Sequence, residues 1–445
     1  MTAHNCYTIH HQLLLLTNTL YMKRNFPRVL LGVCIFVPLV VSAQLNSNGQ
    51  LQSGPTLPGA SPASALAPPP VNPAGQTLNV PTSSVPFLNF TPDARSGALG
   101  EAGVALGDAD ANAIFWNPSK LVFAKQDKGA SISYTPWLRE LIGDMYYTYL
   151  SGYSKVGKNS VVGGSLMYFD LGTVNFTTAT GQAAGTFNSR EYALTATFAQ
   201  RLSRNFSLGV DLKYLNSNLA SGSNTPGLKP GGTAAADISA FYRNEARDNA
   251  TGKGLGWAFG GMISNLGGRI NYGGNERYFI PTNLRLGTAL TYYADQYNKF
   301  NFVLDVNKLM VPTPNVVSGV NLNANKNYFS SVFGSFADAP GGFGEEIKEV
   351  TLSTGIEYWY NNQFAVRAGY FGESNTKGGR KYVTTGLGLR LLDRFGVDFS
   401  YLLPVQQGSP LSQTFRISLL LSLNGANRLF EGEEVSGSDD TSNNN

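Results

Sequence analysis

The chain has 445 residues and a formal net charge of +4, and only 14% of its residues are charged, whereas soluble domains carry about 25%. It contains 50 Gly, 26 Phe and 22 Tyr. Low charge with abundant glycine and aromatic residues is typical of strands that have one lipid face and one polar face. A helical membrane protein needs runs of about 20 apolar residues, and none occurs after residue 45. The composition therefore favours a β-sheet membrane protein over a soluble or a helical one.

The N-terminus is typical of an export signal. A basic stretch, residues 23–28, precedes an apolar core over residues 29–41, and a cleavage site of small residues follows. We therefore predict a signal peptide over residues 22–43. Met22 is expected to be the true start of the protein, with residues 1–21 as an upstream mis-start.

Cleavage at this site would limit the chemistry open to the mature chain. The removed part contains every histidine and cysteine of the sequence, namely His4, His10, His11, Cys6 and Cys34. Imidazole metal sites, thiolate chemistry and histidine-based catalysis are therefore excluded, and we expect no enzymatic activity and no cofactor. Three basic residues would be removed as well, so that the mature chain would contain 30 Lys and Arg and 29 Asp and Glu. A net charge of +1 gives no reason to expect nucleic-acid binding.

Two segments of different composition follow. Residues 44–84 are rich in Pro, Ala, Ser, Gly and Asn and contain no charged residue. This composition predicts an extended, partly polyproline linker; an arm that captures a periplasmic partner is the alternative. Residues 85–123 are rich in Gly and Ala and lack the alternation of a strand. Because they precede the first clear strand, we predict an N-terminal plug in the mouth of a β-barrel formed by residues 124–424.

The barrel prediction depends on about fourteen short segments that alternate apolar and polar residues. In one of them apolar side chains occupy every second position from Phe206 to Tyr214. A Lys or Arg that faces lipid at mid-membrane costs roughly 2–4 kcal/mol, so the charges on the polar faces are predicted to point into the lumen. These charges are Asp211, Lys213, Arg285, Asp305, Glu357, Arg367, Arg390, Asp398 and Arg416.

The connections between the segments decide between a barrel and a soluble β-sandwich, which would show the same alternation. Tight turns near 156–159, 203–205, 361–362 and 393–394 alternate with long loops near 172–188, 218–232, 267–281 and 311–347. Outer-membrane barrels have short periplasmic turns and long external loops. We therefore predict an all-β fold, a transmembrane antiparallel β-barrel of about 14 strands, in contact with the lipids of a Gram-negative outer membrane. The connection at 244–254 should be a periplasmic turn and is longer than this rule expects.

The C-terminal residues 425–445 carry five acidic residues and end in three asparagines. This composition predicts a disordered acidic tail. An even number of strands places it in the periplasm, where it is either a solvated extension or a docking tail.

The plug segment resembles a known family. Its sequence TPDARSGALGEAGVALGDADANAIFWNPSKLVF contains the motif residues Asp93, Arg95, Gly100, Gly103, Asn117 and Pro118. It resembles the N-terminal region of the FadL-like outer-membrane barrels of the OmpP1 superfamily. Together with residues 189–219 and 231–244 it is most similar to the PorV family, the barrel subunits of the type IX secretion system of the Bacteroidetes. The resemblance extends over residues 85–423.

The resemblance implies an adaptor in protein transport. PorV-like barrels bind the translocon barrel SprA, receive cargo by its C-terminal signal domain and carry it to the sortase complex that contains PorU. Exposed apolar residues in a surface loop indicate a protein partner, and loop 311–347 with the residues just before it is the best candidate for the partner-binding surface. The residues in question are Met310, Val311, Phe329, Phe333, Phe336 and Phe343. A loop folded over its own barrel is the alternative.

A second function is compatible with the same fold. A FadL-type channel would pass hydrophobic small molecules and would be gated by the plug of residues 85–123. The polar and charged lumen faces argue against apolar cargo in such a channel. A plain diffusion porin conflicts with the predicted plug.

Overall fold

The computed structural model describes residues 79–423, except positions 140, 178–179, 220–226, 249, 275, 315, 318–319, 322, 324–325 and 393. The predicted mis-start, signal peptide and acidic tail, and the linker up to residue 78, lie outside the described residues. No helix within the described ranges is both long enough and apolar enough to cross a membrane.

Fourteen antiparallel strands form a closed barrel within the described residues, as the sequence predicts. Each strand pairs with its neighbours along the chain, and the first pairs with the last to close the sheet. The barrel strands are β1 (Lys128–Pro136), β2 (Tyr146–Lys155), β3 (Ser160–Thr177), β4 (Ala183–Arg201), β5 (Phe206–Asn218), β6 (Gly231–Arg247), β7 (Gly254–Gly267), β8 (Asn283–Tyr293), β9 (Asn298–Leu309), β12 (Val350–Tyr360), β13 (Phe364–Gly372), β14 (Lys381–Leu391), β15 (Phe395–Pro404) and β16 (Phe415–Leu423). Two short strands, β10 (Val316–Val317) and β11 (Val320–Asn321), pair with each other between β9 and β12.

Side chains alternate between the outer and inner faces because successive residues of a strand point to opposite sides. In β5, Leu212 is 64% exposed on the outer face, while its neighbours Asp211 and Lys213 are buried inside. Eight of the nine charges predicted to point into the lumen are buried, and the ninth, Arg390, is 20% exposed. The predicted inward orientation of these charges is confirmed.

The two ends of the barrel differ in their connections. At one end, which we name the turn end, the connections span three to six residues; at the other, the loop end, most are longer, and one covers residues 310–349. The loop predicted at 172–188 is mostly strand, since β3 and β4 continue to Thr177 and Ala183. Where this hairpin extends beyond the rim of the barrel, both of its faces have the same surroundings. Its sequence therefore no longer alternates apolar and polar residues and resembles that of a loop. At 244–254 the strands also extend further, which leaves a connection of only six residues.

Residues 79–124, which we name the N-terminal segment, pack against the inward-facing side chains of the barrel wall. The segment consists of short helical turns: Pro86–Asn89, Ala94–Gly97, Ala113–Trp116 and Pro118–Phe123. Its apolar side chains and those of the wall form two buried clusters. The interior of the described barrel therefore holds a folded segment that shares its hydrophobic packing with the wall.

Candidate functional site

A carboxylate of the wall holds the backbone of the N-terminal segment. Asp305 in β9 is 1% exposed and accepts hydrogen bonds from the backbone N–H groups of Gly103 at 2.6 Å and Val104 at 2.8 Å. Consecutive N–H groups that converge on one anion form a known type of anion-binding site. A side chain at position 103 would overlap the indole of Trp116, so glycine is required for this approach.

Asp93 joins two turns of the segment. Its Oδ2 accepts a 2.8 Å hydrogen bond from the backbone N–H of Ser96, which caps the helix Ala94–Gly97 as N-terminal aspartates commonly do. Its Oδ1 accepts a 2.6 Å hydrogen bond from the indole Nε1 of Trp116. One buried carboxylate thus fixes the distance between two helical turns that are 23 residues apart.

A chain of alternating charges connects the segment to four strands. Both oxygens of Glu357 in β12 accept from the Arg95 guanidinium, Oε1 from Nε at 2.9 Å and Oε2 from Nη2 at 2.8 Å. Glu357 also accepts from Arg367 at 2.8 Å. Arg367 donates in turn to Asp398 at 2.8 Å, and Asp398 accepts from Arg390 at 2.8 Å. Bidentate Arg–carboxylate pairs are among the strongest hydrogen-bonded pairs, so this network fixes the position of the segment.

The remaining motif residues also contact the wall or shape the segment. The side-chain Nδ2 of Asn117 donates to the backbone carbonyl of Ala240 in β6 at 3.0 Å. Pro118 is in the first turn of the helix Pro118–Phe123, where its missing N–H is not needed. Gly100 has φ of +67°, and its N–H donates to the Thr384 hydroxyl at 2.9 Å.

The six motif residues are therefore all buried in the segment, spread along its contacts with the wall. They do not converge on one reaction centre. Among the described residues no group of three or more His, Cys, Asp or Glu side chains could hold a metal ion. The sequence indicated which wall charges point inward, but it did not indicate that Asp305 and Glu357 hold the segment.

The connection 310–349 presents apolar side chains at the loop end. Phe329 and Phe333, four positions apart on the helix Tyr328–Gly334, are 67% and 63% exposed. Phe343 and Ile347, also four apart, are 79% and 60% exposed. Residues four apart on helical turns share one face. Together with Phe336, which is 43% exposed, these side chains form what we name the apolar loop surface.

Two residues predicted to belong to this surface do not reach it. Met310 and Val311 are each only 2% exposed. They follow β9 directly at the rim, where the backbone N–H of Met310 donates to the Thr282 carbonyl at 2.7 Å. Their side chains belong to the packing beneath the loop.

Buried ion pairs attach this loop to the rim, which the sequence did not indicate. Lys308 at the end of β9 pairs with Glu346 at 3.0 Å and Glu349 at 2.7 Å. Lys377, from the connection 373–380, pairs with Glu349 at 2.8 Å and Glu345 at 2.5 Å. Burial alone would raise the pKa of Glu345. Hydrogen bonds from Lys377 and from a backbone N–H together lower it by more than burial raises it, so the pKa is below its ordinary value. This carboxyl is therefore ionised near neutral pH.

Replacing Lys377 by methionine is expected to loosen the loop, because Glu345 and Glu349 lose a buried partner. An unsatisfied buried group costs about 1–3 kcal/mol. We expect faster cleavage within 310–349 by proteinase K while the barrel stays folded. Lys348→Met, a change at a neighbouring exposed lysine, is the control and is expected to leave the cleavage rate unchanged. Equal cleavage of the two variants would contradict the role of Lys377.

A closed antiparallel barrel with an apolar outer face, a charged and polar inner face and one end of long loops is an outer-membrane-type β-barrel. The family model described as "Type IX secretion system protein PorV" matches residues 73–316, which is more than half of the chain. The chain belongs to the PorV family of type IX secretion system proteins. Among curated proteins no sequence match is found.

Solved structures of similar fold include toluene transporters, a monoaromatic hydrocarbon channel and a FadL homologue. The toluene transporter TodX of Pseudomonas putida is 13% identical, covers 78% of this chain and 99% of its own, and has a TM-score of 0.44. The toluene transporter TbuX of Ralstonia pickettii is 13% identical over 76% of this chain and 99% of its own, with a TM-score of 0.39. A Pseudomonas aeruginosa FadL homologue is 11% identical over 75% of this chain and 99% of its own, with a TM-score of 0.40.

Proposed function

We propose that this protein binds the C-terminal signal domains of secreted cargo at the type IX translocon and carries them to the cell-surface sortase and attachment complex. The partners in this proposal are the translocon barrel SprA, the complex that contains the sortase PorU, and the cargo domains. Membership of the PorV family is the observation that carries it. The proposal assigns the protein a role in transport and no enzymatic activity.

The outer face of the barrel supports a position in the outer membrane. Large apolar side chains cover it, and Leu212, Phe259 and Leu286 are each more than half exposed. Such a belt is stable only against lipid, because strands of an outer-membrane barrel alternate between lipid-facing apolar and inward polar residues. In this proposal the loop end faces the cell exterior and the turn end faces the periplasm.

The interior supports an adaptor over a channel. We propose that the N-terminal segment acts as a plug, because Asp305 and Glu357 bind it from the wall. A channel for hydrophobic small molecules needs an apolar route, whereas the wall around the segment carries a charged network. An adaptor needs no route through the barrel, only a stable support for its loops.

The apolar loop surface is the proposed docking site for a protein partner. Phe343 is 79% exposed and Phe329 67% exposed. Exposed aromatic side chains are enriched at protein interfaces, where they supply much of the binding energy. The ion pairs of Lys308 and Lys377 keep the loop folded and so lower the entropy lost on binding.

The double substitution Phe333→Ser and Phe343→Ser is expected to reduce secretion of type IX cargo strongly while the barrel still assembles. Truncation of an aromatic residue at the centre of an interface costs about 2 kcal/mol or more. Secretion would be followed as cargo retained in the periplasm, and assembly as the heat-dependent mobility of the barrel on a gel. Leu392→Ser is the matched control, since Leu392 is 84% exposed but lies in a connection at the turn end. Normal secretion by the double variant would contradict this docking site.

A further inference from the structure

Positive charge is concentrated on one half of the turn end. Three connections there, 156–159, 202–205 and 248–253, join β2 to β3, β4 to β5 and β6 to β7. These connections, with the five strand residues on either side of each, contain seven Lys and Arg and only two Asp and Glu. Around the other three turn-end connections between strands, cations and acids are equal in number, four of each. The seven cations, which we name the basic row, are Lys155, Lys158, Arg201, Arg204, Arg243, Arg247 and Lys253.

Hydrogen bonds between neighbouring turns fix the spacing of the basic row. The backbone N–H of Arg201 donates to the carbonyl of Asn159 at 2.7 Å, and the backbone N–H of Arg243 donates to the carbonyl of Asn205 at 2.9 Å. Four strand spacings separate the first of the three turns from the last. Because paired strands lie about 4.8 Å apart, the row is roughly 20 Å long, which is the length of about six extended residues.

Part of the basic row faces the mouth of the barrel and not the lipid. The carbonyl of Ala124 accepts a hydrogen bond from the ammonium group of Lys155 at 2.7 Å. The guanidinium groups of Arg243 and Arg201 lie over the Phe123 ring, 4.4 Å and 5.7 Å from its centre. Because Phe123 and Ala124 are buried at the end of the N-terminal segment, these three cations point inward from the wall. Lipid head groups surround the outer face of a barrel and do not cover its mouth.

The acids near the basic row do not neutralise it. Glu245 lies 3.6 Å from Arg243, and Asp127 lies 3.6 Å from Lys155. The carboxylate of Asp248 accepts hydrogen bonds within its own turn, from the backbone N–H of residue 250 at 3.0 Å and the hydroxyl of residue 251 at 2.7 Å. Among the residues that the structure describes, five cations of the row form no ion pair: Lys158, Arg201, Arg204, Arg247 and Lys253.

We infer that the basic row binds an acidic segment of a soluble protein, about six or more residues long, which lies along the three turns beside the mouth of the barrel. A surface of one charge sign raises the local concentration of partners of the opposite sign and speeds their association. Arginine is also enriched at protein interfaces. In the orientation proposed above this partner is periplasmic. The surface lies at the opposite end of the barrel from the apolar loop surface, and the inference does not require the type IX role.

Binding is tested with a fluorescein-labelled peptide of ten glutamates, whose fluorescence anisotropy is measured with the purified protein in neutral detergent at 0.15 M salt. The triple variant Lys158→Glu, Arg204→Glu and Lys253→Glu changes only exposed residues of the three turns. We expect it to bind the peptide at least tenfold more weakly than the unsubstituted protein. Heat-dependent mobility on a gel shows whether the variant is a folded barrel. An unchanged affinity in a folded variant would overturn the inference.

The matched control makes the same change of net charge at the loop end. Lys229→Glu, Arg277→Glu and Lys348→Glu replace exposed cations of three loop-end connections. A strand of ten residues is about 33 Å long, well beyond the screening length of about 8 Å at this salt concentration. We therefore expect the control to bind the peptide as the unsubstituted protein does. Equal weakening in the two triple variants would show that only net charge matters and would also overturn the inference.

The length of the row is tested with a shorter peptide. Three glutamates extend over only about 10 Å and reach one or two of the three turns. We expect this peptide to bind at least tenfold more weakly than the peptide of ten glutamates. Equal affinities of the two peptides would contradict a site that extends along all three turns.

Two further measurements test other occupants of the same surface. Loss of peptide binding when the protein is moved from phosphatidylcholine to phosphatidylglycerol nanodiscs would assign the basic row to lipid head groups. Binding by a chain that ends at Leu423, but not by the full chain, would assign it to the protein's own acidic residues 425–445. Either result would overturn the proposed partner. None of these measurements uses cargo, so their failure is distinct from failure of the proposed function.

Discussion

Replacing Glu357 by glutamine is expected to lower the free energy of unfolding by about 3–5 kcal/mol, the range found when one member of a buried ion pair is removed. Glu357 is fully buried and accepts from both Arg95 and Arg367. Without its charge, two guanidinium groups lie close together in the interior, and each loses the carboxylate with which it forms a buried ion pair. The variant would be unfolded in urea from detergent micelles and followed by tryptophan fluorescence, because Arg367 lies over the ring of Trp359 at 5.3 Å.

The matched control makes the same chemical change at the surface. Glu245 in β6 is 45% exposed and lies 3.6 Å from Arg243. Exposed ion pairs contribute about 0–1 kcal/mol to stability. The free energy of unfolding of the Glu245→Gln variant is therefore expected to be close to that of the unsubstituted protein. A similar decrease in the free energy of unfolding in both variants would show that the interior network has no special role in stability.

Gly100→Ala is expected to detach the N-terminal segment from β13. With φ of +67°, an alanine at this position costs about 1–3 kcal/mol in backbone strain. Its Cβ would also overlap the backbone carbonyl of Tyr370, and a backbone atom of the sheet cannot move aside as a side chain could. The predicted result is a lower unfolding free energy together with faster proteolysis within 79–124.

Gly107→Ala is the control within the same segment. A Cβ at position 107 would meet no atom within 4 Å, and the residue does not have a positive φ. Where the backbone conformation suits alanine, replacing glycine stabilises the folded protein by about 0.4–1 kcal/mol, because the unfolded chain has less conformational entropy. If Gly107→Ala and Gly100→Ala had the same free energy of unfolding and the same rate of proteolysis, the prediction of a close contact between Gly100 and the wall would be wrong.

The barrel could be predicted from the sequence because each strand carries its own evidence. In β5 the order of Asp211, Leu212 and Lys213 is enough to tell inside from outside, since period-two alternation is local. The ends of β3 and β4 could not be predicted, because a hairpin that leaves the rim loses the contrast between its faces. Local patterns therefore predicted strand number and orientation better than strand length.

The contacts of the N-terminal segment could not be predicted from the sequence. Arg95 and Glu357 are 262 positions apart, and any inward cation could in principle pair with any inward anion. The exposure of Phe343 could be predicted from its place in a long loop, whereas the burial of Met310 depends on the rim beneath it. Pairing across the lumen is a property of the closed ring and has no local signal.

The N-terminal segment contacts loop-end connections at Asn79 and the turn-end residue Lys155 through Ala124. This route through the barrel limits the order in which the molecule can assemble. A polypeptide that enters a closed ring at one end and leaves at the other cannot be added afterwards, unless all residues before Asn79 are threaded through a lumen filled by side chains. The pairing of β1 with β16 joins the two ends of the sheet, and contacts so distant in sequence form slowly. We therefore expect the segment to dock on the open sheet while β16 is still unpaired with β1, and the last strands to close around it. The carboxylates of Asp305 and Glu357 would then guide assembly before they stabilise the finished barrel.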